Sequence, residues 1–167
     1  MRRRLILMRH ANSERRALSD HARCLDSRGQ RDAQTMGRCL VERGWEPEAA
    51  LSSDAERTRQ TWAGMAPSMT REVSPHFTRA LYLAGPDEIW TEAHHLSDEI
   101  TTALILGHNP GWAYALQQMT GHDEHLTPAT AALLHGEGDT WPEALEGRWD
   151  LVELIRPENL SDPDQGV

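Results

Sequence analysis

The chain reads as an α/β protein: a three-layer sandwich, a mostly parallel central sheet with helices on both faces. Three observations predict it. The segments "LILM" (5–8) and "TALIL" (102–106) are continuous apolar runs of strand length, the pattern of strands covered on both faces. Stretches of helical period lie between the apolar runs, so strands and helices alternate along the chain. A length of 167 residues suits one domain that buries about two-thirds of its unfolded surface. That domain is expected over 1–157, without internal repeat or linker, with a flexible tail over 158–167.

The elements follow in order. Arg4 to His10 forms the first strand, and residues 11–26, which lack periodicity, form a loop with a short turn. From Ser27 a helix is expected, with Ala33, Met36, Cys39, Leu40 and Val41 as its apolar stripe and Gly44 as its stop. "EAALSS" (48–53) is the second strand. The next helix runs from an N-cap at Asp54 to Pro67. A weak third strand covers 71–77, and Ile89, Trp90, Ala93 and Leu96 mark one face of a helix over 86–98. "TTALILG" is the clearest strand, with a helix over 111–121 behind it. Residues 130–138 and 147–157 supply the last strands, joined by an acidic loop around Pro142. Trp62, Trp90 and Trp112 are read as packing residues, and Trp141 and Trp149 as the edge of the core.

Composition excludes several functions. With 26 acidic against 17 basic residues the net charge is -9, which argues against a nucleic-acid partner. Arginines nonetheless gather between Arg2 and Arg59, as a local anion site in an acidic protein requires. No stretch approaches the roughly 20 apolar residues of a membrane span, and the run after Arg4 is too short for a signal peptide. Cys24 and Cys39 lack paired spacing and read as reduced thiols of a cytoplasmic protein. The histidines of "GHDEH" (121–125), with His94 and His95, match no metal-ligand spacing and read as solvated loop residues.

In parallel sheets ligands bind beyond the carboxyl ends of the strands. Three expected strands end there in reactive groups: the first on Arg9 and His10, the second just before Arg57, and "TALIL" on Gly107 and His108. A guanidinium offers a planar fork of donors that matches phosphate oxygens and stays charged at cellular pH. Two of them stabilise the charge that spreads over a phosphoryl group in transfer. Neutral imidazole is a nucleophile at neutral pH, and a second imidazole can donate to a phosphate oxygen. Arg9, His10, Arg57 and His108 therefore suit phosphoryl transfer through a phosphohistidine, with arginine in place of metal and no cofactor.

The pieces "LILMRHANS", "RGQRDAQTMGRCL", "LSSDAERTRQT", "LILGHNPG" and "LVELIRP" together resemble the histidine phosphatase superfamily, the phosphoglycerate mutase-like proteins. Within it they are similar to the small SixA-type phosphohistidine phosphatases. The resemblance spans residues 5 to about 157 in the family's order. It implies that His10 is the nucleophile and that Arg9, Arg57 and His108 hold phosphate, with Asn12 and Ser13 as further substrate contacts. It also implies a phosphorylated protein substrate, a phosphotransfer domain or phosphocarrier; a monomer acting in signal transduction is the accompanying expectation. Ala11 stands where the superfamily often has Gly, Asp54 where it has Pro, and Asn12 where SixA-like members often carry Lys.

The larger members bear a glutamate general acid after the second strand, and none matches here; Glu14, Asp87 and Glu88 are candidates only. This gap has a chemical reading. An alkoxide leaves with a conjugate-acid pKa near that of water, ~16, and needs a proton donor. Imidazole, at about 6.5, departs with little help. Protein phosphohistidine is thus the expected substrate, and a chain this short leaves little room for a lid over a small one. A small-molecule phosphomonoesterase and a non-catalytic phosphoprotein-binding module are the rival readings; the second has no need of His10.

Overall fold

The computed structural model describes residues 1–160. Six strands form one sheet: β1 (Arg2–Arg9), β2 (Ala49–Ser53), β3 (His76–Thr78), β4 (Thr102–Gly107), β5 (Ala131–Glu137) and β6 (Asp150–Ile155). Their spatial order is β3-β2-β4-β1-β5-β6. β1, β2, β3 and β4 run parallel, with Leu5 opposite Ala103 and Ala49 opposite the same residue on the other side. β5 pairs antiparallel with β1, and β6 with β5. The mostly parallel sandwich predicted from sequence is the fold observed.

Five helices cover the two faces: α1 (Ser27–Glu42), α2 (Glu56–Met65), α3 (Pro86–Ala93), α4 (Gly111–Thr120) and α5 (Trp141–Glu146). Alternation along β1 sorts the core. Leu5 and Leu7 pack with Ile89, Trp112, Leu116 and Trp141 of α3, α4 and α5. Ile6 and Met8 point the opposite way, onto Ala33, Met36, Trp62 and Met65 of α1 and α2. Asp26 caps α1 by accepting from the Gly29 amide at 2.8 Å, and Gly44 ends it at φ +71, as its position in the sequence suggested.

Several expectations shift. Asp54 does not cap α2; Ala55 holds that position and has no side chain to offer, while Ser53 Oγ accepts from the Ala55 amide. The third strand is only His76–Thr78, followed by a 3-10 turn over Arg79–Leu81. The helix expected over 86–98 stops at Ala93. The region around Pro142 is helical, because Pro sits in its first turn, where its missing N–H costs nothing, and Thr140 caps it. Residues 157–159 form a further 3-10 turn in which Glu158 accepts from Thr127 Oγ1, so the first residues of the tail expected over 158–167 are packed, and 161–167 lie outside the described residues.

At the end of the sheet remote from the strand carboxyl ends, Arg3 is fully buried. Its guanidinium donates to the carbonyls of Asp98 and Ile100, each at 2.7 Å, and to those of Gly138 and Asp139. Among the described residues no carboxylate pairs with it; four carbonyl dipoles balance its charge. Arg3→Leu keeps the apolar stem and leaves those oxygens unpaired. The expected loss is about 3 kcal/mol. That corresponds to roughly 10 °C in a thermal melt for a chain of this size. An unchanged melting temperature would show that the carbonyls are served without Arg3.

Candidate active site

The carboxyl ends of β1, β2 and β4 converge on a cleft of about 290 Å³. Arg9, His10, Asn12, Ser13, Arg57 and His108 all line it, together with Arg15, Asp20 and Arg23. Residues separated by up to a hundred positions meet there because parallel strands deliver their ends to one side.

His10 follows β1 and is 7% exposed. Its Nδ1 lies 2.7 Å from the carbonyl of Ala11. A carbonyl only accepts, so Nδ1 carries the proton and Nε2 keeps its lone pair. Ala11 is itself fixed: its amide donates to Thr61 Oγ1 at 3.0 Å, and that hydroxyl donates to the carbonyl of Arg57. Gly29 lets the chain pass, since a Cβ there would stand 2.0 Å from the Asn12 carbonyl oxygen.

Arg57 comes from the first turn of α2 and is buried. Its Nε donates toward His10 Nε2 at 3.3 Å. One terminal nitrogen donates to the Asp20 carbonyl at 2.8 Å, and the other to Asp20 Oδ2 at 3.1 Å and His108 Nδ1 at 3.3 Å. His108 must then accept at Nδ1 and donate from Nε2 to Ser53 Oγ, 2.7 Å away. Arg9 donates to the Leu126 carbonyl, and its buried Nε has no hydrogen-bond partner among the described residues.

Burial pushes the His10 imidazole down to about 3, and the Arg57 and Arg9 guanidiniums add to the effect against the Ala11 carbonyl. His108 is also pushed down to about 3, first by burial and then by His10 and Arg57. Both rings are neutral in the resting cleft. Asp20 is also shifted down, which for a carboxyl favours the charged form: the hydroxyl of Tyr82, then Arg23 and Arg57, hold it well below the usual range. It is fully ionised.

Asn12 and Ser13 reach the cleft wall, but their side chains are engaged, Asn12 with Asp26 and Ser13 with Arg23. Glu14, Asp87 and Glu88 lie outside the lining, and Glu88 accepts from the Gly85 amide at the start of α3. Asp54 turns to His21, 2.7 Å away, and to Arg79. The pairing with His21 anchors the loop that carries Asp20, and the Glu56 amide grips the same loop through the His21 carbonyl. Sequence reading missed Asp20, Tyr82, Ser53 and Thr61; only the Arg and His at strand ends carried a signal. Among the described residues no cluster of three or more His, Cys, Asp or Glu is placed to hold a metal, and no helix is long and apolar enough to cross a membrane.

Both imidazoles are held below their unfolded value near 6.5, so beneath that pH the unfolded chain binds more protons than the folded one. Stability is expected to fall as pH drops from about 6.5 toward 3. Nitrogen-detected NMR of the rings should show His10 and His108 as neutral tautomers from pH 8 down to pH 5. A midpoint near the free value of about 6.5 for either ring would contradict the geometry.

The comparisons with known proteins bear on the family and the fold. The family model of the histidine phosphatase superfamily (branch 1) matches residues 5–81. An uncharacterised chloroplastic protein of Arabidopsis thaliana is 35% identical over 172 residues, covering 94% of this chain and 79% of its own length. An uncharacterised protein of Mycobacterium leprae is 34% identical and covers 90% of this chain and 95% of its own. Among solved structures, a protein from Nakamurella multipartitia provisionally assigned as phosphohistidine phosphatase SixA superposes with a TM-score of 0.84. It is 27% identical and covers 94% of this chain and 97% of its own. The protein histidine phosphatase SixA complexed with tungstate shares the fold at a TM-score of 0.83 and 20% identity, over 95% of this chain and 99% of its own. A matching family model, relatives aligned over nearly the whole chain and a shared fold leave one assignment: the chain belongs to the histidine phosphatase superfamily.

Proposed function

We propose that this phosphatase hydrolyses phosphohistidine on a protein partner, a phosphotransfer domain or a phosphocarrier, through a covalent intermediate on His10. One observation carries the covalent step. The Ala11 carbonyl holds the proton on Nδ1, so the Nε2 lone pair faces the cleft beside a guanidinium. A module that only bound phosphoprotein would need Arg9 and Arg57, and an acceptor for Arg57 Nε, but not an imidazole whose lone pair is freed toward phosphorus when Arg57 turns to phosphate.

In the first transfer the Nε2 lone pair of His10 attacks phosphorus and the P–N bond of the substrate breaks. Arg9 and Arg57 hold the oxygens over which charge spreads. His108, neutral at rest, gains affinity for a proton when a dianion enters beside it, and can then donate from Nδ1 to a phosphate oxygen. Arg57 passes to that oxygen the donors it shares with Asp20 and the two rings.

Leaving-group chemistry supports phosphohistidine. Asp20, the carboxylate on the cleft wall, is ionised and has no proton to give. A phosphohistidine already protonated on its other ring nitrogen departs as neutral imidazole and needs none. An alkyl ester does. The mouth is also open to a protein surface: the Asp20 side chain is 45% exposed and Leu83, on the rim, 57%.

His10→Ala should fold and lose activity by roughly 10³-fold or more. Wild type quenched during turnover should carry phosphate on His10 that is acid-labile and base-stable. Retention of most activity by His10→Ala would end the covalent reading. Separately, protein phosphohistidine and p-nitrophenyl phosphate should be hydrolysed, and phosphoserine or sugar phosphates poorly. Equal rates on phosphoserine and on protein phosphohistidine would place a proton donor in the cleft and favour small-molecule phosphomonoesters instead.

A further inference from the structure

The first transfer leaves a phosphoryl group on His10, and water must remove it. Attack by water releases a proton that needs an acceptor in the cleft. His108 is not one: its Nε2–H is committed to Ser53 Oγ, and its Nδ1, which faces Arg57 at rest, already carries the proton it donates to phosphate once the dianion is present, so no lone pair is left. Arg9, Arg15, Arg23 and Arg57 carry protons already. Among the described residues one carboxylate lines the cleft, and it is Asp20.

We propose that Asp20 is a catalytic residue, the general base for hydrolysis of the phosphohistidine on His10; this rests on the covalent reading above. The placement is direct. One terminal nitrogen of Arg57 bonds both Asp20 Oδ2, at 3.1 Å, and His108 Nδ1, at 3.3 Å, while Arg57 Nε faces His10 Nε2 at 3.3 Å. The carboxylate therefore stands one guanidinium's width from the reacting nitrogen. Its position is imposed by several groups: Arg23 donates to Oδ1 at 3.0 Å, Tyr82 to Oδ2, and Arg57 to the Asp20 carbonyl at 2.8 Å.

In the step itself the water oxygen bonds to phosphorus as the P–Nε2 bond breaks, and the bond's electron pair returns to Nε2. One proton of the water passes to the Asp20 carboxylate and the other stays on the hydrogen phosphate that leaves. His10 is regenerated neutral with Nδ1–H intact, and Asp20 returns its proton to solvent through its exposed side. At rest the carboxylate holds protons weakly. The phosphoryl dianion changes that by drawing the Arg57 donors to itself and adding negative charge beside Oδ2. Its capacity as a base thus rises when the intermediate exists.

The test is rapid-quench kinetics with radiolabelled p-nitrophenyl phosphate on wild type, Asp20→Asn and Asp20→Glu. Asn keeps an acceptor for Arg57 and lacks basicity. Asp20→Asn is expected to release one equivalent of p-nitrophenol at close to the wild-type rate, which also reports an intact site. It should then accumulate labelled His10, with dephosphorylation slowed by roughly 100-fold or more. Asp20→Glu should recover part of the second rate. Equal losses in both steps for Asp20→Asn would show that the residue only positions Arg57, and near-wild-type turnover would show that it does nothing; either overturns the proposal. Wild type that never carries label on His10 overturns the covalent reading, and the proposal with it.

Discussion

The guanidinium of Arg57 is the joint on which the site is assembled. It is a buried cation on the first turn of α2, and its donors reach Nε2 of His10, Nδ1 of His108, and the carbonyl and carboxylate of Asp20. Each contact fixes something else. Burial keeps the two imidazoles neutral and the nearby cation adds to it, while its fork decides which nitrogen of His108 accepts. Its grip on Asp20 closes the loop between residues 14 and 23 against the cleft. Helix α2 must sit close to α1 to carry it, and small residues permit that. A Cβ on Gly37 would lie 2.6 Å from the Met65 carbonyl oxygen, and one on Gly64 2.7 Å from the Ala33 methyl.

The basic side chains of this acidic protein are all arginine, 17 of them, and the structure shows what that residue supplies. Arg3 and Arg57 each satisfy several acceptors in fixed directions while buried, which a flexible ammonium with three rotating donors does less well. At one end of the sheet the fork binds carbonyls and is structural. At the other it meets imidazoles, a carboxylate and open space. The same side chain serves both ends because its charge does not depend on pH, so neither the buried anchor nor the anion site is lost by titration.

Much of this was legible in the sequence, for a definite reason. Arg9, His10, Arg57 and His108 follow strands whose apolar runs are unmistakable, and a parallel sheet leaves little freedom in where strand ends go. Asp20 was not legible because it sits in a stretch without periodicity. Its role depends on a loop path set by His21 with Asp54 and by the Leu25 amide on Gln60. Ser53 and Thr61 act through single hydroxyls that look like any strand end or helix position. Asp54 misled for a related reason: at the start of a helix an aspartate is normally read as its cap, yet here its carboxylate turns to His21 and Arg79, and α2 has no side-chain cap. Pro142 misled because proline marks a loop or a first helical turn equally well.

The charge arrangement also bears on how the cleft takes up and gives back phosphate. In the resting state Arg57 already has an anionic partner, so an incoming dianion exchanges one counterion for another and does not meet a bare guanidinium. Part of the attraction is therefore spent on displacing Asp20. The reverse holds after hydrolysis, when the carboxylate competes for Arg57 against the product. A site that gripped phosphate through uncompensated arginines would bind it tightly and turn over slowly. On the proposed covalent route, a competing carboxylate on an exposed loop, with His10 buried at the end of the sheet, would let the cleft discriminate between a phosphoryl group in transfer and free phosphate. The transferring group spreads charge toward Arg9 and Arg57 together, and the carboxylate has no equivalent of that second contact.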